Sequence, residues 1–137
     1  MNMPHGRALT RLLLAIGMMV IGVAHFLTAP SFARIVPSAL PYPLALVYIS
    51  GVAEVAGGVG LLIPRLRRWA GWGLVALYVC VFPANVNMAI NNIQPEGATI
   101  PVWLLWARLP LQIFLIWLAL VASRPDSPMA PTPANAP

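Results

Sequence analysis

The 137-residue chain has no lysine, a single cysteine and only three acidic residues, Glu54, Glu96 and Asp126. Charged residues make up 8% of it, against about a quarter in an ordinary soluble domain. A water-solvated surface over the whole chain is therefore excluded. The lone Cys80 rules out an intrachain disulfide, a CxxC redox pair and a Cys-rich metal centre, and inside an apolar run it reads as a small buried side chain. All eight basic residues are arginine, giving a formal net charge of +5. Most of them stand at the ends of apolar runs rather than in a polar patch interleaved with aromatics. That placement argues against nucleic-acid binding and for attraction to an anionic membrane surface.

What the chain has in quantity is apolar sequence, 60% of its residues, gathered into four runs at about 8–29, 44–63, 69–90 and 101–122. At ~1.5 Å per residue, 20 or so residues cross a hydrocarbon core of ~30 Å. Backbone groups in lipid must bond internally, and the runs show no period-2 alternation, so the expected fold is all-α. The sequence predicts an integral membrane four-transmembrane-helix bundle. Pro43 and Pro101 fall near the first turns of the second and fourth runs, where a missing N–H costs nothing, and Pro64 closes the second. Residues 1–7 form a short cytoplasmic N-terminal segment, 8–122 the transmembrane domain, and 123–137 a Pro-rich cytoplasmic tail expected to be disordered. Arg7 and Arg11 before an apolar stretch and Ser31-Phe32-Ala33 also resemble a signal peptide; the length of the stretch and His25 within it argue for a retained helix.

Orientation follows from the arginines. Four crossings put the N-terminus, the 64–68 connection and the C-terminus on one side, with Arg7, Arg11, Arg65, Arg67, Arg68 and Arg124, against Arg34 alone on the other. The positive-inside rule then gives an N-in/C-in topology. Trp69 and Trp72 at one boundary, and Tyr42, Tyr48 and Trp103 at the other, suit the aromatic belts. A faint internal repeat accompanies this: Pro43 precedes Glu54 by eleven residues, as Pro101 precedes Gln112.

Polar residues inside the runs carry the functional information, since a charge at a helix centre costs ~2.5–3.5 kcal/mol on translocon scales. His25, Glu54, Asn85, Arg108 and Gln112 are such residues, with Asn87 nearby. Measured from the outer boundary they lie at ~6, ~15, ~8, ~10 and ~16 Å, all in the outer half. Gly51, Glu54 and Gly58 share a stripe, Arg108 and Gln112 share a face, and Tyr78 lies on the side of Asn85. Pro83 and Pro110 free the carbonyls of Val79 and Trp106, which need polar partners. The expected arrangement is a Glu54–Arg108 ion pair at the centre of an intramembrane polar pocket completed by His25, Asn85 and Gln112. A purely register-fixing role for that pair is the competing reading. With His5 outside the runs, His25 has no second histidine for a haem, and no cluster has metal-ligand spacing.

The stretches GVAHFL (Gly22 to Leu27), IVPSALPYP (Ile35 to Pro43), SGVAEVAGGVGLLIP (Ser50 to Pro64), VFPANVNMAI (Val81 to Ile90) and RLPLQ (Arg108 to Gln112) occur in order. Together they resemble the DoxX-like family of small four-helix bacterial membrane proteins, over about Arg11 to Leu120. The resemblance implies a bacterial inner-membrane bundle in a redox setting, since the family takes its name from subunits linked to terminal oxidase and thiosulfate:quinone oxidoreductase activity. It assigns Glu54, Asn85, Arg108 and Gln112 no proven role. Three functions follow as expectations. The first is a quinone- or redox-associated accessory subunit without an intrinsic cofactor, its pocket taking a quinone head. The second is an assembly or chaperone partner of a membrane complex, or a homo-oligomer. The third is a small proton-coupled transporter.

Overall fold

The computed structural model describes residues 4–126, and within them the fold is all-helical: α1 (Pro4–Leu27), α2 (Ala29–Ala33), α3 (Pro43–Leu62), α4 (Arg67–Ile90) and α5 (Val102–Ala122). The four long helices are each long and apolar enough to cross a membrane. They correspond to the four apolar runs. The short α2 is an addition that the run lengths did not indicate. Pro30 explains it, because a proline there cannot extend α1 without clashing with the carbonyl four residues back. The chain breaks at Thr28 and restarts with proline in the first turn of α2.

Proline also sets the bounds of α3. Pro43 opens it, and Ile63, in extended conformation before Pro64, ends it. Tyr42, immediately before α3, sits in the left-handed region at φ 54°, a conformation costing a non-glycine residue roughly 1–2 kcal/mol. Pro83 and Pro110 lie inside α4 and α5.

The long helices pack as a closed ring in which α1 lies against α3, α3 against α4, α4 against α5, and α5 against α1. Consecutive helices thus form two hairpins, α1–α3 and α4–α5. At the glycines the closest approach to a neighbouring backbone is between α1 and α3, where a Cβ on Gly58 would stand 2.7 Å from the Ala15 carbonyl oxygen. Only glycine permits that approach of backbone to backbone. The main core fills the half of the bundle nearer the chain ends, with Leu14, Ala15 and Met18 meeting Leu61, Leu74, Tyr78 and Ala119. A smaller core of Met88, Ala89 and Leu105 closes the opposite, loop end between α4 and α5. Large apolar side chains such as Leu13, Ile49, Val79 and Ile113 point outward.

At the end bearing the chain termini, Asp126 joins two buried arginines. Arg11 Nη2 donates to its Oδ1 at 3.1 Å and Arg67 Nη1 to its Oδ2 at 2.9 Å. The same guanidinium groups cap helix ends: Arg11 Nε donates to Ala122 O and Arg67 Nε to Leu61 O. From sequence alone both arginines count only as surface charge, and residues 123–137 are expected to be disordered. Residues 123–126 are instead held against the bundle, and 127–137 lie outside the described residues.

Candidate functional site

Between the hairpins, toward the loop end, lies a cavity of about 820 Å³. Below it α3 and α4 touch through Gly57 and Leu74; above that contact the two helices leave space between them. Exposed Leu46 and Ile49 on α3 and Cys80 on α4 line it, so it is reached from the apolar side of the bundle. Cys80 is therefore an exposed wall residue, not the buried filler expected from its apolar context.

His25, Glu54, Asn85, Arg108 and Gln112 all line this one cavity, one or two from each long helix. Their pairing differs from the expectation. The Glu54–Arg108 ion pair does not form. Glu54 Oε2 lies 3.0 Å from His25 Nδ1, and Arg108 Nη1 donates to Met88 Sδ at 3.2 Å. The ring order supplies the reason: α3 packs on α1, so Glu54 meets a side chain of α1, whereas α5 stands at the diagonal corner.

Each hairpin therefore carries its own polar pair. On α4–α5, Asn85 Nδ2 donates to Gln112 Oε1 at 2.7 Å, and buried Gln112 donates through Nε2 to Tyr78 O. That carbonyl stands one residue before Val79, the acceptor expected to be freed by Pro83. On α1–α3, the His25 ring stacks on Phe32 with centroids 4.1 Å apart, and its Nδ1 lies 2.9 Å from Ile21 O. A ring nitrogen carries at most one hydrogen, and here two acceptors compete for it. When Nδ1 donates to Ile21 O, the Glu54 carboxylate has proximity without a hydrogen bond. Buried Glu54 Oε2 accordingly has no hydrogen-bond partner.

Arg108 is the counterpart on the other hairpin. A guanidinium has five N–H donors, and among the described residues its one acceptor is a thioether, a weak one. The cavity thus presents an unmet acceptor on the α1–α3 side and unmet donors on the α4–α5 side. At its floor Tyr78 donates its hydroxyl hydrogen to Met18 Sδ at 2.8 Å, joining the hairpins. Sequence reasoning had placed Tyr78 beside Asn85 without giving it a part in the site. Ser50, a further lining residue, turns its hydroxyl back to Val47 O. Its position four residues before Glu54 was the available signal. Asn87 does not line the cavity; it donates to Ile35 O at 2.9 Å and ties α4 to the α2–α3 connection.

Fold and cavity define a bundle of four helices each long and apolar enough to cross a membrane, two hairpins enclosing a mainly apolar recess with a few polar side chains that opens on an apolar flank. The chain belongs to a family described as a domain of unknown function (DUF8561), whose model matches residues 14–123. No curated protein and no solved structure matches it.

Proposed function

We propose that the chain is a multi-pass protein of the bacterial cytoplasmic membrane, with both termini inside, that binds the head of a lipid-soluble quinone as an accessory redox subunit. One observation carries the binding reading: Glu54, whose Oε2 has no hydrogen bond and only the shared His25 Nδ1 within reach, and Arg108, with only a thioether acceptor, line the same flank-open cavity. A buried polar group left unpaired costs ~1–3 kcal/mol, and a ligand that pairs with Glu54 Oε2 recovers part of that cost. A quinone ring offers carbonyl oxygens to Arg108 and, in its hydroxyl form, an O–H to Glu54. Its isoprenoid tail leaves past Ile49 and Cys80 into lipid. The resemblance to DoxX-like proteins supplies the redox setting, and in this reading electrons come from a partner complex.

Cys80, the single thiol, reports on occupancy because it lines the cavity and is exposed. A short-chain quinone should slow its modification by a small maleimide in detergent-solubilised protein, and Glu54→Gln should weaken that protection. Labelling rates that ignore the quinone in the folded wild type would contradict the reading.

A further inference from the structure

A second cavity, of about 470 Å³, opens at the end of the bundle that carries the chain termini. Arg67, Arg68 and Trp72 of α4 line one side of it, and Leu120 and Arg124 at the end of α5 the other. Arg67 is already committed to Leu61 O and Asp126. Exposed Arg68 and Arg124 have no side-chain partner among the described residues.

The acid count shows that the chain has no further carboxylate side chain to offer them. Of its three acidic residues, Glu54 lies in the other cavity, Glu96 lies in the α4–α5 connection, and both oxygens of Asp126 are held by Arg11 and Arg67. Residues 1–3 and 127–137 contain no Asp or Glu. No described acidic side chain thus stands against Arg68 or Arg124, and both guanidinium groups are open to an anion in the cavity. The cavity wall says what kind of anion fits. Trp72 is 56% exposed and Leu120 stands across from it, each one turn deeper in the bundle than Arg68 and Arg124, so the inner face of the cavity is apolar and the outer cationic. An indole at this level suits the boundary between headgroup and acyl chain. A free inorganic anion would gain nothing from that apolar face.

We propose that this cavity is a binding site for the phosphodiester headgroup of an anionic phospholipid. Arg68 and Arg124 hold the phosphate, Trp72 and Leu120 border the first methylenes, and Arg67, fixed by Asp126, positions the rim. The site is separate from the cavity between the hairpins and does not depend on what binds there.

The test is native mass spectrometry of the full chain in mild detergent with added phosphatidylglycerol, phosphatidylcholine or inorganic phosphate. Arg68→Gln, Arg124→Gln and the double variant are compared with Arg65→Gln, which removes the same charge from an exposed residue of the same turn outside the cavity. Circular dichroism confirms that each variant keeps its helices. Wild type and Arg65→Gln should retain phosphatidylglycerol and not phosphatidylcholine. Arg68→Gln and Arg124→Gln should each lose retention roughly fivefold, the factor expected for about 1 kcal/mol per arginine, and the double variant roughly 25-fold. Equal losses in Arg65→Gln and Arg68→Gln would make the effect diffuse surface charge and overturn the site. Displacement of the lipid by inorganic phosphate, or full retention in the double variant, would overturn it as well.

Discussion

At Glu54 the fold keeps a buried carboxylate oxygen without a hydrogen bond, although His25 Nδ1 is only 3.0 Å away. Leaving such a group unpaired costs ~1–3 kcal/mol, so the ligand-free protein should gain about that much stability in Glu54→Gln. A higher thermal midpoint in the variant, together with weaker Cys80 protection, is the expected combination. A lower midpoint would mean that the His25 contact holds the fold together. Asp126 behaves in the opposite way. The Arg11 hydrogen bond, followed by that from Arg67, holds its carboxyl below the usual carboxylate range. A depressed folded-state value contributes stability above the ordinary value of about 3.9, and that contribution is lost as pH falls through the folded one. Asp126→Asn should therefore melt slightly below wild type near neutral pH, and the two melts should converge in acid below the ordinary range. A difference that persists there would place the effect outside the carboxylate.

Helix contacts show how much of this arrangement can be read in the sequence and where the reading stops. The four long helices were legible because apolar run length and proline placement act locally: Pro43 and Pro64 bound α3 through their own backbone geometry. Pro30 acts just as locally, but it falls just beyond the first apolar run, where a five-residue helix has no run length to announce it, and α2 was hidden. The five polar residues were legible as a set because each is costly in an apolar run and all fall in the same half of their runs. Their partners were not. Which side chain meets Glu54 depends on the order of helices around the ring, and no spacing within one helix encodes that order. The Arg11–Asp126–Arg67 bridge was hidden for the same reason, its members lying 59 and 115 residues apart. Glycine at the α1–α3 junction gives a graded test. A Cβ on Gly58 would press the Ala15 carbonyl, whereas one on Gly73 meets nothing within 4 Å. Gly58→Ala should destabilise the bundle by about 1–3 kcal/mol, and Gly73→Ala should be neutral or gain up to ~1 kcal/mol from helix propensity. The reverse order in thermal unfolding would contradict the packing described for α1 and α3.

The whole molecule consists of two hairpins, each with an internal polar pair, joined in the half near the chain ends and parted by the cavity in the other half. In the proposed orientation the arginine-rich end is cytoplasmic and the cavity lies in the outer half of the bilayer. In a Cys80→Ala background, Asn92→Cys should react with an impermeant thiol reagent in intact spheroplasts, and Arg65→Cys only after permeabilisation. The reverse pattern would invert the topology. The central claim, that the flank-open cavity holds a ligand head through Glu54, is tested most directly by native mass spectrometry of wild type beside Glu54→Gln in mild detergent. A discrete small-molecule adduct of quinone mass is expected on the wild type, absent from a folded Glu54→Gln protein. A wild type without adduct after addition of quinone, or one bound equally by both proteins, would contradict it.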